Sequence, residues 1–176
     1  MRNRFFLLLP FIFYFAGCAS APVVKKSYDF SRVKRVAVEN FAAYSEYKDS
    51  GRMAAQYAAS DFVRYGIEAY LNPTASELSK CDVIVTGSLL KYIPDKTQII
   101  NLKSSEQEIT SLQIKQKDKQ IVKYNEAQVA LSVIIKDVKT NEVIWANDYS
   151  YEGLDIGTAM DFAMRGALFP FIRSIR

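Results

Sequence analysis

The stretch Ala127–Tyr151, AQVALSVIIKDVKTNEVIWANDYSY, decides the fold. Ala127, Val129, Leu131, Val133 and Ile135 alternate with Gln128, Ala130, Ser132, Ile134 and Lys136. That period of two is what a strand with one covered face requires. Val143, Trp145, Asn147, Tyr149 and Tyr151 then alternate with Ile144, Ala146, Asp148 and Ser150. Between the runs, Lys139-Thr140-Asn141-Glu142 is polar, and Asn141 tolerates the positive φ that a tight turn demands. The pattern predicts an antiparallel hairpin.

Upstream, Cys81–Ile93 (CDVIVTGSLLKYI) reads as a third strand. Its start is apolar on both faces, as in a central, covered strand, and Gly87 marks a bulge or a close backbone approach. Residues 94–120 are rich in Lys, Gln, Ser and Glu. Gln98–Leu102 and Glu108–Lys115 are candidates for an extended hairpin there, with a loop as the alternative. Val33–Phe41 is a short β-branched strand. From Gly51 to Leu71, Ala55, Ala58, Ala59, Phe62, Val63, Gly66, Ala69 and Tyr70 keep a helical stripe, opposite Arg52, Gln56, Ser60, Arg64 and Glu68. Asn72-Pro73 ends that helix, and Thr74 with Glu77 makes a capping box for a short helix over 75–80.

Downstream, a helix is expected from Thr158 to Phe169, with Asp161 and Arg165 paired on a narrow polar stripe and Pro170 kinking or stopping it. Leu168 lies beside that stripe, as does Ile172 if the helix passes Pro170. The first reading is a short hydrophobic tail tucked into its own domain. The functional alternative leaves Leu168 and Ile172 exposed as a partner or self-association surface. The element order predicts an α+β fold: a mixed, mainly antiparallel sheet with helices packed on one face.

The N-terminus carries a separate message. Arg2 and Arg4 precede the apolar run Phe5–Phe15, which has the length of a signal h-region and falls short of the ~20 residues a spanning helix needs. Phe15-Ala16-Gly17-Cys18 then resembles a bacterial lipobox. That resemblance implies diacylglyceration of the Cys18 thiol, cleavage before it and acylation of the new amine. Each buried acyl CH₂ adds roughly 0.8 kcal/mol of membrane affinity. Residues 1–17 are therefore the expected signal peptide, 18–29 the lipidated N-terminus and tether, and 30–176 a periplasmic domain. Ala19 stands where enterobacterial lipoproteins kept in the inner membrane tend to carry aspartate, so the outer membrane is expected.

Composition narrows the chemistry. The 176 residues include no histidine and two cysteines, which removes His-dependent nucleophile activation, His-ligated zinc and haem, and a zinc ribbon. With Cys18 lipidated, Cys81 has no intramolecular disulfide partner and is expected as a small buried hydrophobe at the start of its strand. Loss of residues 1–17 removes two arginines, leaving 21 Lys+Arg against 19 Asp+Glu, a charge of +2. That gives no argument for nucleic acid. No phosphate-loop, CxxC or HExxH pattern occurs. Asp148 with Glu152 is a carboxylate pair, but on a strand and its exit rather than in a cleft. No catalysis, cofactor or metal is expected.

Three further strings support a resemblance. They are Phe30–Phe41 (FSRVKRVAVENF) followed by Gly51 opening a helix, Cys81–Ser88 (CDVIVTGS), and Asp137–Ile144 (DVKTNEVI). In this order behind a lipobox, they resemble the periplasmic domain shared by the curli-secretion-channel lipoproteins and the penicillin-binding-protein-activator lipoproteins. The resemblance covers about 30–171 and implies a fold and a compartment. Ile99, Ile100 and Leu102 do not keep one parity, and neither do Ile109, Leu112 and Ile114, so a membrane-crossing hairpin is not expected. The expected role is a lipid-anchored, non-enzymatic periplasmic adaptor that binds an envelope protein or cell-wall component. The alternative is an oligomeric subunit of an outer-membrane secretion or assembly complex.

Overall fold

A computed structural model describes the backbone of residues 21–101 and 121–176, and the side chains of all of these except 95–101 and 121–125. In chain order the elements are β1 (Val23–Val24), β2 (Arg35–Val38), α1 (Ser50–Arg64), β3 (Glu68–Leu71), α2 (Ala75–Leu78), β4 (Val83–Asn101), β5 (Ile121–Asp137), β6 (Val143–Gly153) and α3 (Ile156–Ser174). The strands form one mixed sheet in the order β1-β6-β5-β4-β2-β3. β2 runs parallel to both β3 and β4, and the other pairings are antiparallel. α1 and α3 lie side by side on one face. The expected α+β architecture is what the chain adopts.

The quoted hairpin is β5 and β6, paired from Ala127↔Gly153 to Lys136↔Val143, with Asn141 at φ 56° in its turn. Val129, Leu131, Val133 and Ile135 are fully buried under the helices, as their alternation demanded. Gly87 is a close approach rather than a bulge. A Cβ there would stand 2.3 Å from both the Phe41 ring and the Ser132 carbonyl oxygen. The Thr74–Glu77 capping box is formed around α2.

Three local expectations are corrected. The helix expected to reach Leu71 stops at Arg64. Gly66, at φ 78°, closes it: the Gly66 N–H donates to Val63 O and the Ile67 N–H to Phe62 O. That left-handed closure satisfies the last carbonyls and turns the chain. Glu68–Leu71 then find backbone partners along β2 instead of continuing a helix. The extended hairpin exists but pairs differently. Gln98–Asn101 face Ile121–Tyr124, while Leu102 and 108–115 lie outside the described residues. The last helix does not stop at Pro170 but runs on to Ser174.

Burial explains the last point. Phe171, Ile172 and Ile175 follow the proline and are 0%, 2% and 6% exposed. Burying such a side chain stabilises by about 1.5–3 kcal/mol, so three of them outweigh the roughly 3 kcal/mol cost of proline in a helix. Phe171 is also the centre of an aromatic cluster. Its ring centroid lies 5.7 Å from Trp145 on β6, 6.3 Å from Phe62 on α1 and 6.0 Å from Phe30 in the N-terminal segment. Sheet, both long helices and the incoming chain meet there. No helix among the described residues is long and apolar enough to cross a membrane.

Candidate functional site

Cys18 and the lipobox residues Phe15, Ala16 and Gly17 lie outside the described residues. The structure does show what the chain does just after them. Of the stretch read as a tether, Val23 pairs with Ala146 and Val24 with Trp145, and the Lys25 N–H donates to Ile144 O at 2.9 Å. Lys25 forms an ion pair with Glu142. The Tyr28 hydroxyl and the Arg32 guanidinium both donate to Asp137 Oδ2 at 2.9 Å. Phe30 reaches the aromatic cluster, and Arg32 lies 4.5 Å over the Tyr28 ring. From residue 23 on, the segment is part of the fold.

Asp137 is the post to which this segment is tied. Its Oδ1 accepts the backbone N–H groups of Lys139 and Thr140, each at 2.9 Å, so the same carboxylate also builds the β5–β6 turn. Burial acts to raise its pKa. The Thr140 N–H, the Tyr28 hydroxyl, the Lys139 N–H and Arg32 outweigh that and hold the carboxyl below its ordinary range.

Leu168 and Ile172 are 0% and 2% exposed, so the tail is tucked into its own domain and the alternative, a partner surface at these two residues, is not formed. The reason is the polar stripe beside them. Asp161 and Arg165 turn toward the polar residues of α1, with Asp161 20% and Arg165 38% exposed. Arg165 bonds Asp161 at 2.7 Å and approaches Asp61 at 3.7 Å, while Arg64 bonds Asp61 at 2.7 Å and approaches Asp161 at 3.8 Å. The two stripes form a charged seam between the helices, and their apolar neighbours are buried with it. The solvent-facing ridge of α3 instead carries Phe162 and Phe169, each 43% exposed. Phe162 stacks on Tyr151, and Phe169 tilts against Tyr65.

Within that seam Asp61 is 2% exposed, and its Oδ2 has no hydrogen-bond partner among the described residues. Burial pushes its pKa up to about 6 against the pull of Arg64 and Arg165. α1 is rotated relative to the sequence expectation, so that Asp61 turns inward and Val63, 62% exposed, turns out.

That rotation shapes one end of the sheet. Among the described residues β3 has no partner along its outer edge. The Asn72 N–H donates to Val38 O. In a parallel ladder the inward-bonded residues alternate, so Ala69 and Leu71 present N–H and C=O groups outward. Above this edge Gln56, Ala59, Ser60, Val63, Arg64 and Leu71 line an open groove of about 610 Å³. At the opposite end, β1 covers only the start of β6, and Val23 is 71% and Val24 41% exposed.

Cys81 is 3% exposed, its thiol donates to Glu77 O at 3.4 Å, and burial raises its pKa. Asp148 and Glu152 stand exposed on β6, and Glu152 accepts from Gln128 at 2.9 Å. Tyr44, Tyr57, Tyr65, Tyr149 and Tyr151 pack against the edge of the core.

No protein-family model and no curated protein matches the chain. Solved structures do match in fold. The PelC dodecamer from Paraburkholderia phytofirmans is 16% identical, with a TM-score of 0.60 over 85% of this chain and 97% of that one. A point variant of the same dodecamer in another crystal form gives 17% identity and 0.59 over 86% and 97%. The hypothetical protein CT253 from Chlamydia trachomatis is 9% identical, with a TM-score of 0.50 over 81% and 98%. At these identities what is shared is the fold: this sheet with its helices on one face spans almost the whole of each of those chains.

Proposed function

We propose that this chain is a lipid-anchored, non-enzymatic accessory protein of the bacterial envelope. It is held on the outer membrane through Cys18, faces the periplasm, and works as one subunit of a homo-oligomer. The lipobox Phe15–Cys18, behind a basic n-region and an apolar run of signal length, carries this reading. Support for the oligomer comes from the fold shared with PelC, whose subunits assemble as a dodecamer. The resemblance to envelope lipoproteins points the same way and suggests service in a secretion or assembly complex.

The docked N-terminal segment says how the anchor would act. Cys18 precedes Val23 by five residues, a span of at most about 18 Å. The acyl chains therefore enter the membrane close to the β1 edge, and the Asp137 cluster transmits the load to the sheet. A domain so held has little freedom to swing. The role needs no cofactor and no metal; the partners are the membrane, further copies, and an envelope protein or cell-wall component. The exposed Phe162 and Phe169 favour a second reading, a monomeric adaptor using the α3 ridge.

Fractionation tests the anchor. Cys18→Ala protein should leave the membrane for the soluble fraction, and wild-type protein should lack residues 1–17 and carry three acyl chains by intact mass. Cys18→Ala protein that still pellets after a high-salt wash would refute the tether. A monodisperse monomer at high concentration in detergent would favour the adaptor.

A further inference from the structure

The two ends of the sheet have unpaired outer edges among the described residues, and they complement each other. At one end β3 offers outward N–H and C=O groups at Ala69 and Leu71 beneath the groove lined by Ala59, Val63 and Leu71. At the other, β1 closes the strand order with its own outer edge unpaired among the described residues. Exposed aliphatic side chains stand at both: Val63 and Leu71 at the first, Val23, Val24 and Val143 at the second. Exposed charges of opposite sign flank them, Glu68 on β3 and Lys26 just after β1.

Strand direction makes the ends compatible. β3, β2, β4 and β6 run one way, and β1 runs against β6 and so against β3. Copies related by rotation about an axis along the strands keep that sense, so β1 of one copy meets β3 of the next in antiparallel register. Faces agree as well. Val24 is beside Trp145 and Leu71 beside Val38, both buried residues on the helix-covered side. Across such a junction the Val24 side chain points into the groove beside Val63.

We propose that the β3 edge and the groove above it receive the β1 edge of a second copy of this chain. The copies then join head to tail, and each junction carries one lipid-bearing N-terminus. This rests on the homo-oligomer reading and assigns its contact. Two different surfaces meet, so the contact repeats from copy to copy instead of stopping at a two-fold dimer, and a rotation that closes makes it a ring. Main-chain bonds along the edge supply attraction, and the groove supplies selectivity.

The test is cysteine crosslinking of the full chain in native membranes with copper-phenanthroline. A variant carrying Val24→Cys and Leu71→Cys should give a ladder of covalent multimers that collapses on reduction, and either substitution alone should give monomer. A dimer from Leu71→Cys alone would overturn the junction in favour of β3 meeting β3. So would absence of a ladder in a chain that is oligomeric by native mass, and both outcomes leave the homo-oligomer standing. A monomeric unsubstituted chain overturns both. As a second line, Leu71→Lys and Ala69→Pro act on side chain and outward N–H, positions an edge strand tolerates. Each should lower the oligomer fraction at least tenfold with unchanged circular dichroism. An undiminished oligomer from the folded variants would contradict the proposal.

Discussion

Asp61 and Asp137 are both buried, both face arginine, and their carboxyls shift in opposite directions. Asp137 accepts two backbone N–H groups, a tyrosine hydroxyl and a guanidinium, so its charge is solvated by the protein. Asp61 accepts a close bond from Arg64 on one oxygen and leaves the other without a partner among the described residues. The number of donors aimed at the carboxylate decides the sign, not the presence of an arginine. The contrast follows the architecture. The N-terminal seam, next to the proposed anchor, is saturated; the seam between α1 and α3 is under-satisfied.

The largest effect should come from the helix seam's apolar flank. Leu168→Ala is expected to cost about 3 kcal/mol in urea denaturation, as for a fully buried leucine. A loss under 0.5 kcal/mol would mean that the polar stripe faces water after all. Next, Asp137→Asn should cost about 2 kcal/mol, because donors placed for a carboxylate meet an amide. A neutral result would remove the claim that this post ties the N-terminal segment down.

The pH dependence sharpens the contrast further. The folded Asp61 value of about 6 lies above the ordinary 3.8, so the folded chain binds more protons between them. Stability from this group is present at low pH and falls as pH rises through that window, by on the order of 1 kcal/mol between pH 5 and 7. Asp137 acts the other way: its contribution is present above the ordinary carboxyl value and is lost as pH drops below it. Asp61→Asn should erase the first trend and leave the second, as read from denaturation midpoints across pH. The smallest effect is expected at Phe169→Ala, under 1 kcal/mol, since nearly half of that residue already faces solvent.

These contrasts mark how far the sequence could be read. The β5–β6 hairpin and the Thr74–Glu77 box were legible because alternation and capping are local. The end of α1 was not. Gly66, Ala69 and Tyr70 keep helical spacing, and only the open edge of β2, more than thirty residues away, makes 68–71 a strand. The choice between a buried and an exposed Leu168 and Ile172 was open for the same reason: one helical wheel shows a polar stripe but not that a second stripe on α1 meets it. Ala21–Asp29 reads as a linker because its partners, Trp145, Ala146 and Asp137, lie over a hundred residues downstream. Of the candidate site, the lipobox is a reading of sequence alone and lies outside the described residues, while the sheet edges needed the strand order.

Native mass spectrometry of the full chain, extracted from membranes in mild detergent, tests the central claim most directly. The account predicts a closed set of identical subunits, each starting at the eighteenth residue and each heavier by three acyl chains. A single unmodified polypeptide retaining its leader, with no higher species at any concentration, would contradict it.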